Sequence, residues 1–441
     1  MVRGSPFTAE ILWLLMLRQK FDNGISLIPK STKLMLSGSM PNTWYQSIQL
    51  RLLFITISAG GILFFLVGKE GVFSLIFGLV TLVAGILVVW VRKPRWKNVT
   101  LILLSVFACL AIAEILCLLF NRPEETYSGE YTTSYFRSDG EDGDLGYEPN
   151  PGNFTVQKYH RDHLVYSQTY AITPQRIRET PQKMRAESCN VVFFGGSYTF
   201  GEGVGDHETM PYFFSKEGDG KFNVYNLGFH GYGPHQMLRA LETERLKAIV
   251  DGPVHLVIYQ GIQSHVDRVA GNTFWDHYGP RYTLMPDGSV RYQGAFHGKW
   301  YKIFYDLVRH SALYGFIQER VIQMHAFDER NIPLYLGVVE QSRRAIEGNL
   351  HAPFYVLFWD KGSGDTLTDQ IVEKFKNNRF RLINISQIIP DIQVNHELYT
   401  LSSYDPHPNA TAHHLIGKYL AEAFMDAPCD SLTFKQAKPT R

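Results

Sequence analysis

The chain has almost no net charge: 43 basic side chains face 42 acidic ones in 441 residues, a balance of +1. That leaves no basic face for nucleic acid, and a nucleic-acid partner is not expected. No internal repeat or low-complexity tract is present, which sets aside repeat arrays. Cysteine is scarce, at four residues. Cys109 and Cys117 sit in an apolar run and read as small hydrophobes. A glycine-rich stretch, GGSYTFGEG at 195–203, lacks the Lys-Ser/Thr pair of a phosphate-binding P-loop. No small-residue cleavage site precedes the basic amino-terminal segment, so no removable signal peptide is expected. Met35 and Met40 are alternative starts.

What the chain does have is unevenly placed. Residues 1–50 read as a cytoplasmic segment, and residues 51–120 hold three apolar runs, Leu52–Val67, Val72–Val91 and Val99–Phe120. The second and third have the roughly 20 residues that a spanning helix needs. Positive charge orients them: Arg92, Lys93, Arg95 and Lys97 in one loop, with Arg18, Lys20, Lys30, Lys33 and Arg51 ahead of the first run. Both groups belong in the cytoplasm, so three transmembrane helices place everything after Phe120 on the extracytoplasmic or periplasmic side of the cell (inner) membrane. The lipid bilayer is the first partner expected. Glu114 interrupts the third run and reads equally as a functional group or as a carboxyl packed against the neighbouring helices.

The remainder alternates like a globular protein. Residues 121–150 are acidic and rich in Gly, Asn and Pro, which suits a linker or an irregular lead-in, and 154–177 suggests one or two edge strands; together 121–189 form a linker and lead-in strands. Strand candidates then recur at 190–195, 223–228, 254–260, 353–358 and 380–385, with helical patterns between most of them. This rhythm predicts an α/β fold, a doubly wound, mainly parallel sheet over residues 190–428, followed by a tail at 429–441. An insertion at 268–330 reads as a hairpin around Pro286-Asp287-Gly288 and one or two helices over 299–325. The final helix is marked by Ala412, Leu415, Ile416, Tyr419, Leu420, Ala423 and Phe424 at helical spacing, with Asn409 as N-cap. Cys189 opens the first strand and Cys429 follows that helix. Both fall near the bottom of the sheet, a candidate disulfide in an oxidising compartment.

Two segments carry chemistry. In VVFFGGSYTF an apolar run suited to a strand buried on both faces breaks into Gly195-Gly196 and presents Ser197, where open α/β sheets bind ligands. Near the other end, Asp405 and His407 each precede a proline, which pushes both into extended geometry. Residues i and i+2 of an extended segment point the same way, so the Asp405 carboxylate can orient the His407 imidazole. His413 and His414 invite a zinc reading with His407, but no acidic or thiolate ligand set accompanies them, and neither metal nor cofactor is expected.

Together these blocks resemble the SGNH (GDSL-type) hydrolase superfamily over about residues 190–425. GGSYTFGEG is similar to the family's Gly-Asp-Ser element with Gly196 in place of the aspartate, and supplies nucleophile Ser197. NLGFHGYG matches the block whose glycine lends an oxyanion-hole N–H, with Gly231 the better match and Gly228 the other. The family's Gly-x-Asn-Asp block reads GIQS, so Gln263 stands where the oxyanion asparagine is expected, and His265 is an auxiliary donor. DPHPN carries Asp405 and His407, one residue closer together than in most members. That shorter spacing is similar to the alginate O-acetyltransferase-like branch, which carries its Asp/His pair ahead of the serine.

The resemblance implies a flavodoxin-like sheet and a serine esterase or deacetylase, with Ser197, Asp405 and His407 as catalytic triad. Ser197, Gly231 and Gln263 would form the oxyanion hole. An O-acyl ester on a cell-envelope glycan or lipid is the expected substrate and partner. Two alternatives stand: an O-acyltransferase that passes the acyl group to a polysaccharide, and a non-catalytic carbohydrate-binding protein on the same scaffold.

Overall fold

The computed structural model describes residues 94–436, apart from 121–124, 131–133, 139–143, 183–184, 310, 326 and 361–365. Residues 1–50, read above as a cytoplasmic segment, and the first two apolar runs lie outside the described residues. The third run belongs to a continuous 27-residue helix, Pro94–Phe120, which begins five residues before the run because Pro94 suits a first helical turn. Among the described residues no helix is long and apolar enough to cross a membrane. Side chains of this helix are described without a break only from Ile112 to Phe120.

Pro94–Ala111 belongs to one compact unit and the described residues from Ile112 onward to another. Within the second, Glu114 is buried. Its carboxylate accepts hydrogen bonds from Ser311 Oγ at 2.7 Å, Ala312 N at 2.6 Å and Leu313 N at 2.9 Å. Those are orphan donors at the start of helix Ala312–His325, so Glu114 is a cap contributed from a distant part of the chain.

The core is a five-stranded parallel sheet. Its strands are β1 (Cys189–Phe194), β2 (Phe222–Asn226), β3 (Leu256–Gly261), β4 (Phe354–Phe358) and β5 (Leu382–Asn384). All five strand candidates are present, in spatial order 2-1-3-4-5, the flavodoxin-like order. The period of two along each strand divides the core in two. Val192, Phe194, Val257, Tyr259, Val356 and Phe358 face one side with helices α3 (Pro234–Glu242), α4 (Ile332–Ala345) and α5 (Thr366–Asn377). Val191, Phe193, Leu256, Ile258 and Leu357 face the other with α2 (Met210–Glu217) and α6 (Ala410–Phe424). A short helix, α1 (Ser197–Phe200), follows β1.

The lead-in is more ordered than its composition implies. Glu125–Gly129, Gly152–His160 and His163–Ile172 form a three-stranded antiparallel sheet, and Tyr135 is fully buried. The described part of 121–150 holds the short strands Glu125–Gly129, Phe136–Ser138 and Tyr147–Pro149. Its strands are short and flanked by Gly, Asn and Pro, which masks them, while Phe154, Val156, Tyr166 and Tyr170 drive them into the same core as Val192. In the insertion, Pro280–Leu284 pairs with Val290–Ala295 around the Pro-Asp-Gly turn, and helices Lys299–Val308 and Ala312–His325 follow.

Cys189 and Cys429 form a disulfide, with Cα atoms 5.2 Å apart across 240 residues of sequence. It ties the amino end of β1 to the segment after α6, away from the strand ends that carry Ser197.

Candidate active site

Ser197 stands where β1 gives way to α1, beside the point where the strand order reverses. The turn needs glycine. A Cβ on Gly196 would lie 2.6 Å from Arg268 Nη1 and 3.0 Å from the Tyr232 carbonyl oxygen, and one on Gly195 would run into Thr199. The aspartate that the resemblance leads one to expect at position 196 is thus replaced by space for the Arg268 guanidinium. After one turn Gly201, with φ +84, ends α1, a left-handed conformation that glycine adopts without penalty.

The double-proline segment is extended as predicted. Asp405–Pro408 is a strand paired antiparallel with Thr400–Ser402. Asp405 Oδ1 lies 2.5 Å from His407 Nδ1 and accepts the His407 backbone N–H at 3.0 Å. On its far side His407 Nε2 is 2.8 Å from Ser197 Oγ. Ser197, His407 and Asp405 therefore form one hydrogen-bonded line, although 210 positions separate the serine from the histidine.

Three neighbours escaped the sequence reading. Lys158, buried on the lead-in strand Gly152–His160, places Nζ 2.9 Å from Asp405 Oδ2. Glu202, buried just beyond Gly201, has Oε2 3.5 Å from His407 Nε2 and 2.6 Å from His230 Nδ1. Its Oε1 accepts from Tyr166 Oη at 2.9 Å and Tyr127 Oη at 3.2 Å. His230 Nε2 in turn meets Tyr135 Oη at 2.9 Å. A signal for Lys158 existed: in GNFTVQKYH it shares the inward face with Phe154 and Val156, where a lysine is out of place unless paired. Glu202 carried a weaker signal, as the single acid within the glycine-rich nucleophile loop.

Electrostatics follow from this arrangement. Burial alone would lower the His407 pKa, but the carboxylates of Glu202 and Asp405 outweigh it and raise His407 above its ordinary value. Burial would raise Asp405, yet hydrogen bonding and charge from His407, with Lys158, hold it below the usual aspartate range. Glu202 is likewise held well below its ordinary value, since His407, His230 and Lys158 overcome its desolvation. Both carboxylates are ionised at neutral pH.

The expected oxyanion residues are placed as follows. Gly231 has φ +72 in the loop after β2, and its carbonyl oxygen receives Trp275 Nε1 at 3.4 Å. Gly228 closes a packing contact, since a Cβ there would sit 2.6 Å from Phe200 N. Gln263 Oε1 accepts from Thr368 Oγ1 on α5 at 3.3 Å. His265 is fully buried beside the nucleophile turn: Nε2 lies 3.1 Å from where a Cβ on Gly196 would be and has no hydrogen-bond partner among the described residues, while Nδ1 is 2.6 Å from Tyr259 Oη. Burial and the Arg268 and His235 charges hold its imidazole neutral, well below the ordinary histidine pKa.

Glu202, Asp405 and His407 offer ligand atoms within 4.8 Å of one another, the one such group among the described residues. Asp405 Oδ2 already faces an ammonium, and both His407 nitrogens are engaged. The set suits proton handling better than a cation. His413 is drawn away from His407, its Nδ1 accepting the Met210 N–H at 3.0 Å, and His414 lies 3.5 Å from Glu217.

No protein-family model matches the chain, and no curated protein does. Among solved structures it is similar to a protein assigned to the G-D-S-L lipolytic family from Desulfitobacterium hafniense, with 11% identity and a TM-score of 0.34 over 53% of this chain and 99% of that one. It is also similar to an α/β hydrolase enzyme from the metagenome of Lake Arreo, with 11% identity and a TM-score of 0.30 over 55% and 99% of the two chains. A salicylyl-acyltransferase from a tetracycline biosynthetic pathway aligns at 13% identity and a TM-score of 0.28, over 55% of each chain. At these identities and scores the likenesses carry no weight for the chemistry of this chain.

Proposed function

We propose that the chain is a serine acyl-ester enzyme of the SGNH type. The observation that carries this reading is the hydrogen-bonded line from Lys158 through Asp405 and His407 to Ser197 Oγ at the carboxyl end of β1. His407 Nε2 takes the hydroxyl proton as Ser197 Oγ attacks the ester carbonyl, and Asp405 stays ionised and stabilises the imidazolium. The oxyanion meets the Ser197 N–H, the Gly231 N–H and His265, whose Nε2 carries the proton when Tyr259 donates to Nδ1. Collapse breaks the ester C–O bond, and His407 returns the proton to the departing alcohol. Water then releases the acyl group as an acid, or a sugar hydroxyl accepts it.

We place the site outside the inner membrane, on an O-acylated envelope glycan or lipid. The three apolar runs with basic flanks support the tether, and the Cys189–Cys429 bridge suits an oxidising compartment.

A fluorophosphonate probe tests the chemistry. The full chain should be labelled at Ser197, and Ser197→Ala and His407→Ala should abolish labelling. An unlabelled Ser197 under conditions that label a control esterase rejects the reading in favour of a binding protein. Acetate release from p-nitrophenyl acetate, with and without added oligosaccharide, then separates hydrolysis from transfer, because a transferase makes acetylated sugar at the expense of acetate.

A further inference from the structure

A Ser–His–Asp line needs one carboxylate, yet His407 faces two. Asp405 stands at Nδ1 and is itself balanced by Lys158. Glu202 stands on the Nε2 side, beside the nucleophile, at 3.5 Å. That is too long for a hydrogen bond and close enough for strong attraction between buried charges.

The placement of Glu202 is built. It follows Gly201, whose left-handed conformation turns the chain at the end of α1. Its Oε1 is held by Tyr166 and Tyr127 on two lead-in strands, and its Oε2 by His230 in the loop after β2. Four separate parts of the chain thus converge to fix one carboxylate, at the expense of desolvating it. A residue needed only to anchor the loop would not require an ionised group at 4% exposure.

We propose that Glu202 is a positioning residue of the acyl-transfer site: its fixed carboxylate stabilises the imidazolium that His407 becomes when Ser197 Oγ gives up its proton. The inference rests on the function proposed above. In the resting site Lys158 balances Asp405, and Glu202 gains a cation at the Nε2 side only when His407 is protonated. The titratable and charged groups facing His407 are Asp405 on its own strand, Glu202 after α1, Tyr198 on α1, His413 on α6 and Lys158, with Ser197 Oγ at Nε2; those facing Glu202 add His230, Tyr166, Tyr170 and Tyr127. The proton itself moves only between Ser197 and His407.

The test is Glu202→Gln, which keeps the shape and acceptor for the two tyrosines and removes the charge, with Glu202→Asp as the conservative variant. kcat/KM toward p-nitrophenyl acetate should rise with pH as His407 deprotonates. In Glu202→Gln that limb should move down by about one pH unit and the plateau fall about tenfold, with Glu202→Asp between. The His407 imidazole is also titrated by NMR in the Ser197→Ala protein, a readout that needs no turnover. Its midpoint should fall when Glu202→Gln is added. An unchanged midpoint overturns the proposal even if activity drops, since a merely structural Glu202 would alter rate and leave titration alone. If Ser197 is labelled by the probe and the midpoint is unmoved, only this inference fails; if Ser197 is never labelled, the functional reading fails with it. Should Glu202→Gln not fold, the same titration of Glu202→Leu, which also removes the charge, decides, an unmoved midpoint again overturning the proposal.

Discussion

Lys158 Nζ lies 2.9 Å from Asp405 Oδ2, and the two side chains are 4% and 0% exposed. The pair joins a lead-in strand to the strand carrying His407, across 247 positions of sequence. The antiparallel lead-in sheet is therefore a wall of the site.

Removing Lys158 strips the buried Asp405 of its permanent cation and leaves only His407 to oppose its charge. Lys158→Met should lower the stability of the folded chain by about 3–5 kcal/mol in denaturant titration. Asp405 is held below its ordinary pKa, so the stability it contributes is present above the unfolded aspartate value and is lost as pH falls through the folded one. In Lys158→Met that loss should set in at higher pH. A variant as stable as the parent, with the same acid limb, would show that the ion pair contributes nothing net.

The disulfide makes a separate prediction. Cys189 is fully buried at the start of β1, and the bridge closes a long loop. Cys189→Ala together with Cys429→Ala should cost about 2–5 kcal/mol, read from the shift of the unfolding midpoint, and leave probe labelling of the remaining folded protein intact. Loss of labelling while the chain stays folded would contradict the separation of bridge and site.

The parts legible in the sequence are those where local rules and tertiary packing agree. VVFFGGS announced a buried strand and its turn, and the prolines after Asp405 and His407 forced the extended geometry that puts both side chains on one side. Lys158, Glu202 and His230 were not legible as a group, because their meeting depends on how the lead-in sheet docks, which no local spacing encodes. The short strands within 121–150 were hidden for a related reason: Tyr135 is buried by aromatic partners such as Phe154 and Phe229 from distant segments, whereas Ser134, Arg137 and Ser138 around it are polar. Glu114 gave only a choice between two roles, and its cap on Ala312–His325 came from an insertion whose position could not be foreseen.

His413 gives a pH dependence of fixed sign. Burial pushes its pKa down from 6.5 to about 3, and its Nδ1 accepts the Met210 N–H. The unfolded chain takes up this proton before the folded one does. Stability from His413 is therefore full above pH 6.5 and falls between there and about 3, at most about 1.4 kcal/mol per pH unit. His413→Asn keeps an acceptor for Met210 and cannot titrate, so its stability measured from pH 6.5 downward should decline less steeply. His407 works oppositely: raised when folded, it adds stability below its unfolded value that is lost as pH rises through the folded one. Equal slopes for parent and His413→Asn would reject the assignment.

The oxyanion donor is the last point on which residue spacing and geometry diverge. The resemblance points to Gln263, whose Oε1 takes a hydrogen bond from Thr368 on α5 and whose Nε2 is the group that would donate. His265, two residues on, has a buried Nε2 next to Gly196 with no hydrogen-bond partner among the described residues. A neutral imidazole N–H is as good a donor as an amide, and a buried orphan nitrogen is costly unless something meets it during turnover. His265→Phe, which keeps the ring and removes the donor, should therefore lower kcat by about 10²–10³ with KM little changed. Gln263→Leu should cost far less, because His265 Nε2 is among the atoms nearest Gly196 and the Gln263 amide is not. Far-ultraviolet circular dichroism and the unfolding midpoint guard against a folding defect in either variant. If Gln263→Leu shows the larger kcat loss in folded protein, Gln263 carries the donor role through Nε2 while Oε1 keeps Thr368.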